Sequence, residues 1–124
     1  MLHQPVKVFK LVPTAPRESQ LQELSRLNRF LIEFSIANYK NRLIYLTGGM
    51  TNKLVRVDAV HVFDVIKFGW VTAPKMTKAR WRHSSCSLGE YIYVFGGLDS
   101  NGAIESLEVK VGCNWVQICE QSPI

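Results

Sequence analysis

His83 and Cys86 stand three residues apart, and Cys113 and Cys119 stand six apart. Histidine and cysteine at short intervals can hold zinc. A structural zinc site, however, needs paired units of the Cys-x-x-Cys kind, and neither interval supplies them. Ser84 and Ser85 adjoin His83. On a strand Ser84 faces away from His83, while Ser85 shares its side without an acid in the pattern to orient the imidazole. There is no Gly-x-Ser-x-Gly elbow. Asp99, Asn101 and Gly102 partly fit a calcium loop, but the twelfth place counted from Asp99 is Lys110, where glutamate is required. No Lys-Ser or Lys-Thr follows Gly48-Gly49 or Gly96-Gly97 at a phosphate-loop distance. These residues define no catalytic set, no metal site and no cofactor site.

The chemistry that remains is recognition. Lys75, Lys78, Arg80, Trp81 and Arg82 crowd one short stretch, and Lys53 lies upstream. Fifteen basic and 10 acidic residues give a net charge of +5, yet no block of five or six like charges occurs. That spread argues against nucleic acid as the main partner and leaves an acidic or mixed protein segment. At 124 residues, 47% hydrophobic and 20% charged, the chain has the composition of one soluble globular domain. No apolar run approaches the roughly 18 residues that span a bilayer. The N-terminus lacks the pattern of a secretory signal. Three unpaired cysteines suit a reducing compartment, with the cytoplasm as the default expectation.

The elements that would position these residues repeat. Leu43-Ile44-Tyr45-Leu46-Thr47-Gly48-Gly49 returns 48 residues later as Tyr91-Ile92-Tyr93-Val94-Phe95-Gly96-Gly97. A self-match at this period marks a repeat architecture. In the first unit, strands are expected over 34–39, 43–47, 54–63 and 70–72, with turns at Lys40-Asn41 and after Asp64. In the second they are expected over 83–88, 91–95, 104–111 and 115–118, with turns at Gly89-Glu90, 98–102 and 112–114. Each unit is thus an antiparallel meander of four strands. Residues 6–12 alternate like one extra strand, in the place of the last strand of a preceding unit. Pro13 and Pro16 then break the chain. Leu21, Leu24 and Leu27 at a spacing of three fit a short helix near 18–28, or a polar loop.

In order, Gly48-Gly49, Phe63-Asp64, Trp70, Met76, Arg80 and His83 are followed by Tyr93, Gly96-Gly97 and Trp115. Over about 29–118 this order resembles the kelch repeat. The second unit departs from the pattern: its aromatic-acid pair is missing, and its tryptophan follows at 45 rather than 48 residues. The resemblance implies an all-β fold, a partial kelch-type β-propeller of about two four-stranded antiparallel blades plus one N-terminal strand. Residues 1–28 would belong to a preceding blade and its connection, 29–75 to one blade and 76–124 to the next. It further implies that Gly48, Gly49, Gly96 and Gly97 allow close backbone approach, that Trp70 and Trp115 pack between blades, and that Arg80 satisfies carbonyls at blade turns.

Two blades cannot close a ring, so further blades from the same protein or from other chains are expected. Kelch proteins often act as ubiquitin-ligase adaptors or cytoskeletal binders, which implies an interaction module without catalysis of its own. No BTB-like segment is visible. The alternative is a fragment of a propeller enzyme whose active groups lie outside this chain. The loops from strand two to three, and from strand four to the next unit, share one end of the stack. Lys53, Lys75, Lys78, Trp81, Arg82, Asp99 and Asn101 fall on these loops and are the expected partner-binding set.

Overall fold

The computed structural model describes residues 5–15, 18–27 and 29–118. Pro16 and Cys119 lie outside them. The described residues form twelve β-strands and no helix. The first sheet has the order β3(Ser35–Tyr39), β4(Leu43–Thr47), β5(Val60–Asp64), β6(Gly69–Val71). The second joins β7(Ser84–Leu88), β8(Tyr91–Phe95), β11(Leu107–Val111) and β12(Asn114–Ile118). Between β8 and β11 lies the two-stranded ribbon β9(Leu98–Asp99) and β10(Gly102–Ala103). Every pairing is antiparallel and, apart from β8 with β11 across the ribbon, joins strands consecutive in the chain. Two four-stranded meanders in tandem are blades of a partial β-propeller.

Local chemistry sets the tight turns. Lys40 and Asn41 both take positive φ, 53° and 54°, the backbone that two-residue hairpins favour. The Asp64 carboxylate accepts the N–H groups of Ile66 and Lys67 at 2.9 and 3.1 Å, closing the β5–β6 turn. Arg42 anchors the same carboxylate at 3.1 Å.

Alternation along the strands gives each sheet two faces. Ala37, Tyr45 and Val62 sit opposite one another across β3, β4 and β5. With Val60 they meet Ile92, Val94 and Trp115 of the second sheet in one buried cluster, and Met76 enters from the connecting loop. At the inner edge β3 packs on β7. There Ser35 and Ser85 share a hydrogen bond of 2.6 Å, Ser87 Oγ donates to the Asn38 carbonyl, and Lys40 pairs with Glu90 at 2.7 Å. Phe63, wholly buried, and Trp70 occupy the first sheet's other face, edge to face at 5.2 Å. Trp70 Nε1 donates to Ser25 Oγ at 3.0 Å, and Trp115 Nε1 donates to the Pro74 carbonyl at 3.1 Å.

The N-terminal third departs from the sequence expectation. β1(Val6–Ala15) and β2(Glu18–Leu27) form a ten-plus-ten hairpin. In place of one extra strand there are two, and the helix near 18–28 is a strand. A leucine every third residue suits a helix, since strand residues three apart face opposite sides; pairing with β1 overrides that spacing. Nor does Pro13 end the strand: β1 runs through it, with a register shift between Pro13 and Ala15. A proline fits an edge strand at such an irregularity. β5 also begins at Val60 rather than at Leu54. Thr51 Oγ1 accepts the N–H groups of Lys53 and Val55, and Met50 bridges Arg56, so this stretch folds back on itself first. The third strand of the second sheet likewise starts at Leu107 rather than 104.

Candidate functional site

Arg80 organises the connection between the two sheets. It is 0% exposed, as is Glu108, and the two form an ion pair at 2.7 Å. Its Nη1 also donates to the carbonyls of Gly96 and Ser106, each at 3.1 Å. Glu108 Oε1 accepts the Thr77 N–H at 2.6 Å, and Oε2 accepts the Lys78 N–H at 3.3 Å. A buried charge persists only when paired and hydrogen-bonded in this way. The assembly fixes residues 77–80, and with them the start of the basic stretch.

The glycine pairs sit where chain segments cross. A Cβ on Gly48 would stand 2.3 Å from the Arg80 carbonyl oxygen and 2.7 Å from His83 Cε1. One on Gly97 would stand 2.6 Å from the Trp81 carbonyl oxygen. Gly96 has none of the other described residues within 4 Å of such a Cβ. Beside Gly48 lies His83, 8% exposed, with Nε2 2.8 Å from Thr47 Oγ1. Burial, reinforced by the Arg80 charge, pulls its imidazole down to about 4. The ring is therefore neutral near pH 7 and is part of the packing between the sheets.

Held by this framework, the loops after β4, β6 and β8 converge. Backbone bonds join Trp81 to Leu98 in both directions, at 3.1 and 2.8 Å, and Met76 N–H reaches the Asp58 carbonyl at 3.0 Å. Between the loops opens a cleft of about 650 Å³ lined by Leu54, Val55, Arg56, Lys78, Asp99 and Asn101, among others. Lys78 is exposed at its wall. Leu54 and Val55 are 69% and 54% exposed at its rim. Asp99 Oδ1 is occupied by the Asn101 N–H at 2.7 Å, which holds the far wall in a turn.

Trp81 lies beneath this region, half-buried. The Arg82 guanidinium sits 4.7 Å from its ring centre and that of Arg56 sits 5.7 Å away, both in cation–π range. Trp81 Nε1 and Arg56 Nε are buried without hydrogen-bond partners. Arg82 faces Glu33 at 3.6 Å.

Of the residues singled out from the sequence, the cleft gathers Lys78, Asp99 and Asn101. Trp81 and Arg82 form the adjoining stack. Lys53 and Lys75 are exposed and line no part of the cleft. Leu54, Val55 and Arg56 were hidden by the expected strand over 54–63. Arg56 alone carried a signal, as a basic residue near the glycine pair.

A family model for the kelch motif matches residues 79–109. The chain is 30% identical over 91 residues to Kelch-like protein 6 of Homo sapiens, covering 69% of this chain and 13% of that protein. It is 37% identical over 57 residues to an F-box/kelch-repeat protein of Arabidopsis thaliana, covering 44% of this chain and 15% of that one. The chain therefore spans less than a sixth of the length of these relatives. Residues 79–109 thus carry a kelch motif, and both matched relatives are kelch proteins. Among the described residues no helix is long and apolar enough to cross a membrane.

Proposed function

We propose that the chain is a protein-interaction module, scaffold or substrate-adaptor-like, that performs no catalysis of its own. It grips an acidic segment with an apolar neighbour in the cleft between the loops. In this reading residues 29–75 and 76–124 are successive blades, residues 1–28 belong to a preceding unit, and the site of action is the cytoplasm. The observation that carries the proposal is the cleft itself: Arg56 and Lys78 at its walls, Leu54 and Val55 exposed at its rim, all on a framework fixed by Arg80 and Glu108. Cations beside exposed apolar side chains suit a carboxylate that adjoins an aliphatic residue. Arg82, stacked on Trp81, adds positive charge next to the cleft.

The test is selection of random displayed peptides on the full chain. Enriched peptides should pair Asp or Glu with an apolar residue. Their affinity should fall at least about tenfold in the Arg56→Glu, Lys78→Glu double variant, a loss of about 1.4 kcal/mol or more. Enrichment without acidic residues, or an affinity that ignores both reversals, would remove the cleft as the binding site.

A further inference from the structure

Residues 51–55 form a tight hairpin loop. The Leu54 N–H reaches the Thr51 carbonyl at 3.0 Å, the Thr51 N–H reaches the Val55 carbonyl at 2.9 Å, and Met50 bridges Arg56 beyond them. A three-residue loop of this type ends on a left-handed residue, a place that glycine fills without strain. Leu54 occupies it, at φ 59°. The second unit follows the rule. Counted from the glycine pairs, 54 − 49 and 102 − 97 are both 5, and residue 102 is a glycine at φ 117°. Leucine on this backbone is strained, because its Cβ crowds the carbonyl oxygen that follows.

Among the described residues two apolar side chains stand on such backbone, Leu54 and Phe68. Phe68 has a use within the chain: with Val8, Leu24 and Ile44 it borders a cavity of about 320 Å³ between the N-terminal hairpin and the first sheet. Leu54 instead leaves 69% of its surface in water, at the rim of the loop cleft. Backbone strain of this kind gathers at ligand clamps. The cleft's two walls differ in chemistry. Leu54 and Val55 make one wall apolar, whereas Asp99, Ser100 and Asn101 make the other polar. Arg56 follows directly on the apolar wall, and Lys78 shares the lining. A carboxylate held by these cations brings its neighbouring side chain beside Leu54. The Thr51 hydroxyl oxygen also accepts the N–H groups of Lys53 and Val55, at 3.3 and 3.2 Å. The leucine is thus presented on a turn already fixed, so little ordering is left for binding to impose.

We propose that Leu54 is the specificity-determining residue of the cleft. It selects segments in which the acidic residue adjoins a branched aliphatic or aromatic side chain, and the fold gives up stability to hold it in place. The inference rests on the cleft as the binding site and adds which residue reads the apolar neighbour.

The test reads folding and recognition on the same variants of the full chain. Leu54→Gly and Leu54→Asn put at this position residues that accept left-handed backbone. Both variants should unfold at a higher urea midpoint than the unaltered chain, at unchanged slope. Both should bind peptides selected on the unaltered chain at least about tenfold more weakly. Selection of random displayed peptides on Leu54→Asn should return sequences that keep Asp or Glu but no longer favour an apolar neighbour. A midpoint that does not rise, an affinity that ignores both substitutions, or an apolar preference that survives without the leucine overturns the proposal. In those cases the cleft keeps its role if acidic residues are still enriched and the Arg56→Glu, Lys78→Glu double variant still loses binding. Peptides selected on the unaltered chain without acidic residues remove the cleft itself, and this inference with it.

Discussion

Arg80 has two carbonyls and a carboxylate as partners, and its side chain and that of Glu108 are wholly buried. Removing one member of a buried pair leaves the other uncompensated. Arg80→Met should therefore cost about 3–5 kcal/mol, read as a shift in urea midpoint at unchanged slope. A loss under about 1 kcal/mol would mean that water reaches Glu108. His83 gives stability a pH dependence of defined sign. The unfolded chain binds a proton on this ring near 6.5, the folded protein only near 4. Between those values the unfolded state holds more protons, so stability falls as pH drops from 6.5 to 4 and the histidine contribution levels off below. The loss is on the order of 3 kcal/mol. His61, also lowered by burial and by Arg29, adds the same sign. Glu23, Asp64 and Glu90 are held below their ordinary values and titrate at more acidic pH. His83→Asn should flatten the curve between pH 6.5 and 4; an unchanged profile would clear His83 of the effect.

Between elements, the glycine positions measure how closely segments cross. Gly48→Ala and Gly97→Ala combine a positive φ with a backbone collision. Each should lose more than the about 1–2 kcal/mol that left-handed backbone alone costs an L-residue. Equal, small losses by thermal unfolding would show that the crossing chains can part. The same scale explains what was readable beforehand. The four-strand meanders follow from period-two alternation and from turn residues such as Lys40-Asn41 and Gly89-Glu90, all local signals. β2 was not readable as a strand, because leucines three apart follow the helical rather than the period-two pattern and its pairing with β1 is a tertiary fact. The loop over 51–59 was not readable either. Its β-branched composition suits a strand, while the Thr51 hydroxyl and the Met50–Arg56 bridge fold it into a turn. The Arg80 partner Glu108, 28 residues away, carries no mark in its own neighbourhood. Half of the cleft was legible because its basic residues fall on a loop between repeats; Leu54, Val55 and Arg56 were not.

At the scale of the molecule, the stack is asymmetric. The first sheet's Ala37, Tyr45 and Val62 are covered by the second sheet. On the corresponding face of the second sheet, Leu88, Val116, Phe95 and Ile118 are 69%, 47%, 44% and 44% exposed, around a groove of about 560 Å³. An apolar surface of this kind drives association. The chain should self-associate with rising micromolar concentration in light scattering. The Leu88→Lys, Ile118→Lys double variant should reduce that association while changing folding stability by no more than about 0.5 kcal/mol per site. Association that persists in the variant would place the contact elsewhere.

Gly96 gives that bare end a gauge. Its counterpart Gly48 is pressed by the Arg80 carbonyl and His83 of the unit that follows, whereas Gly96 meets none of the described residues. An alanine at 96 is tolerable, apart from its backbone strain, only while the second sheet stays uncapped. The same methyl group becomes an obstacle once another blade seats there. How severely that one substitution is penalised thus reports, in any setting where the chain works, whether the array goes on past its last strand.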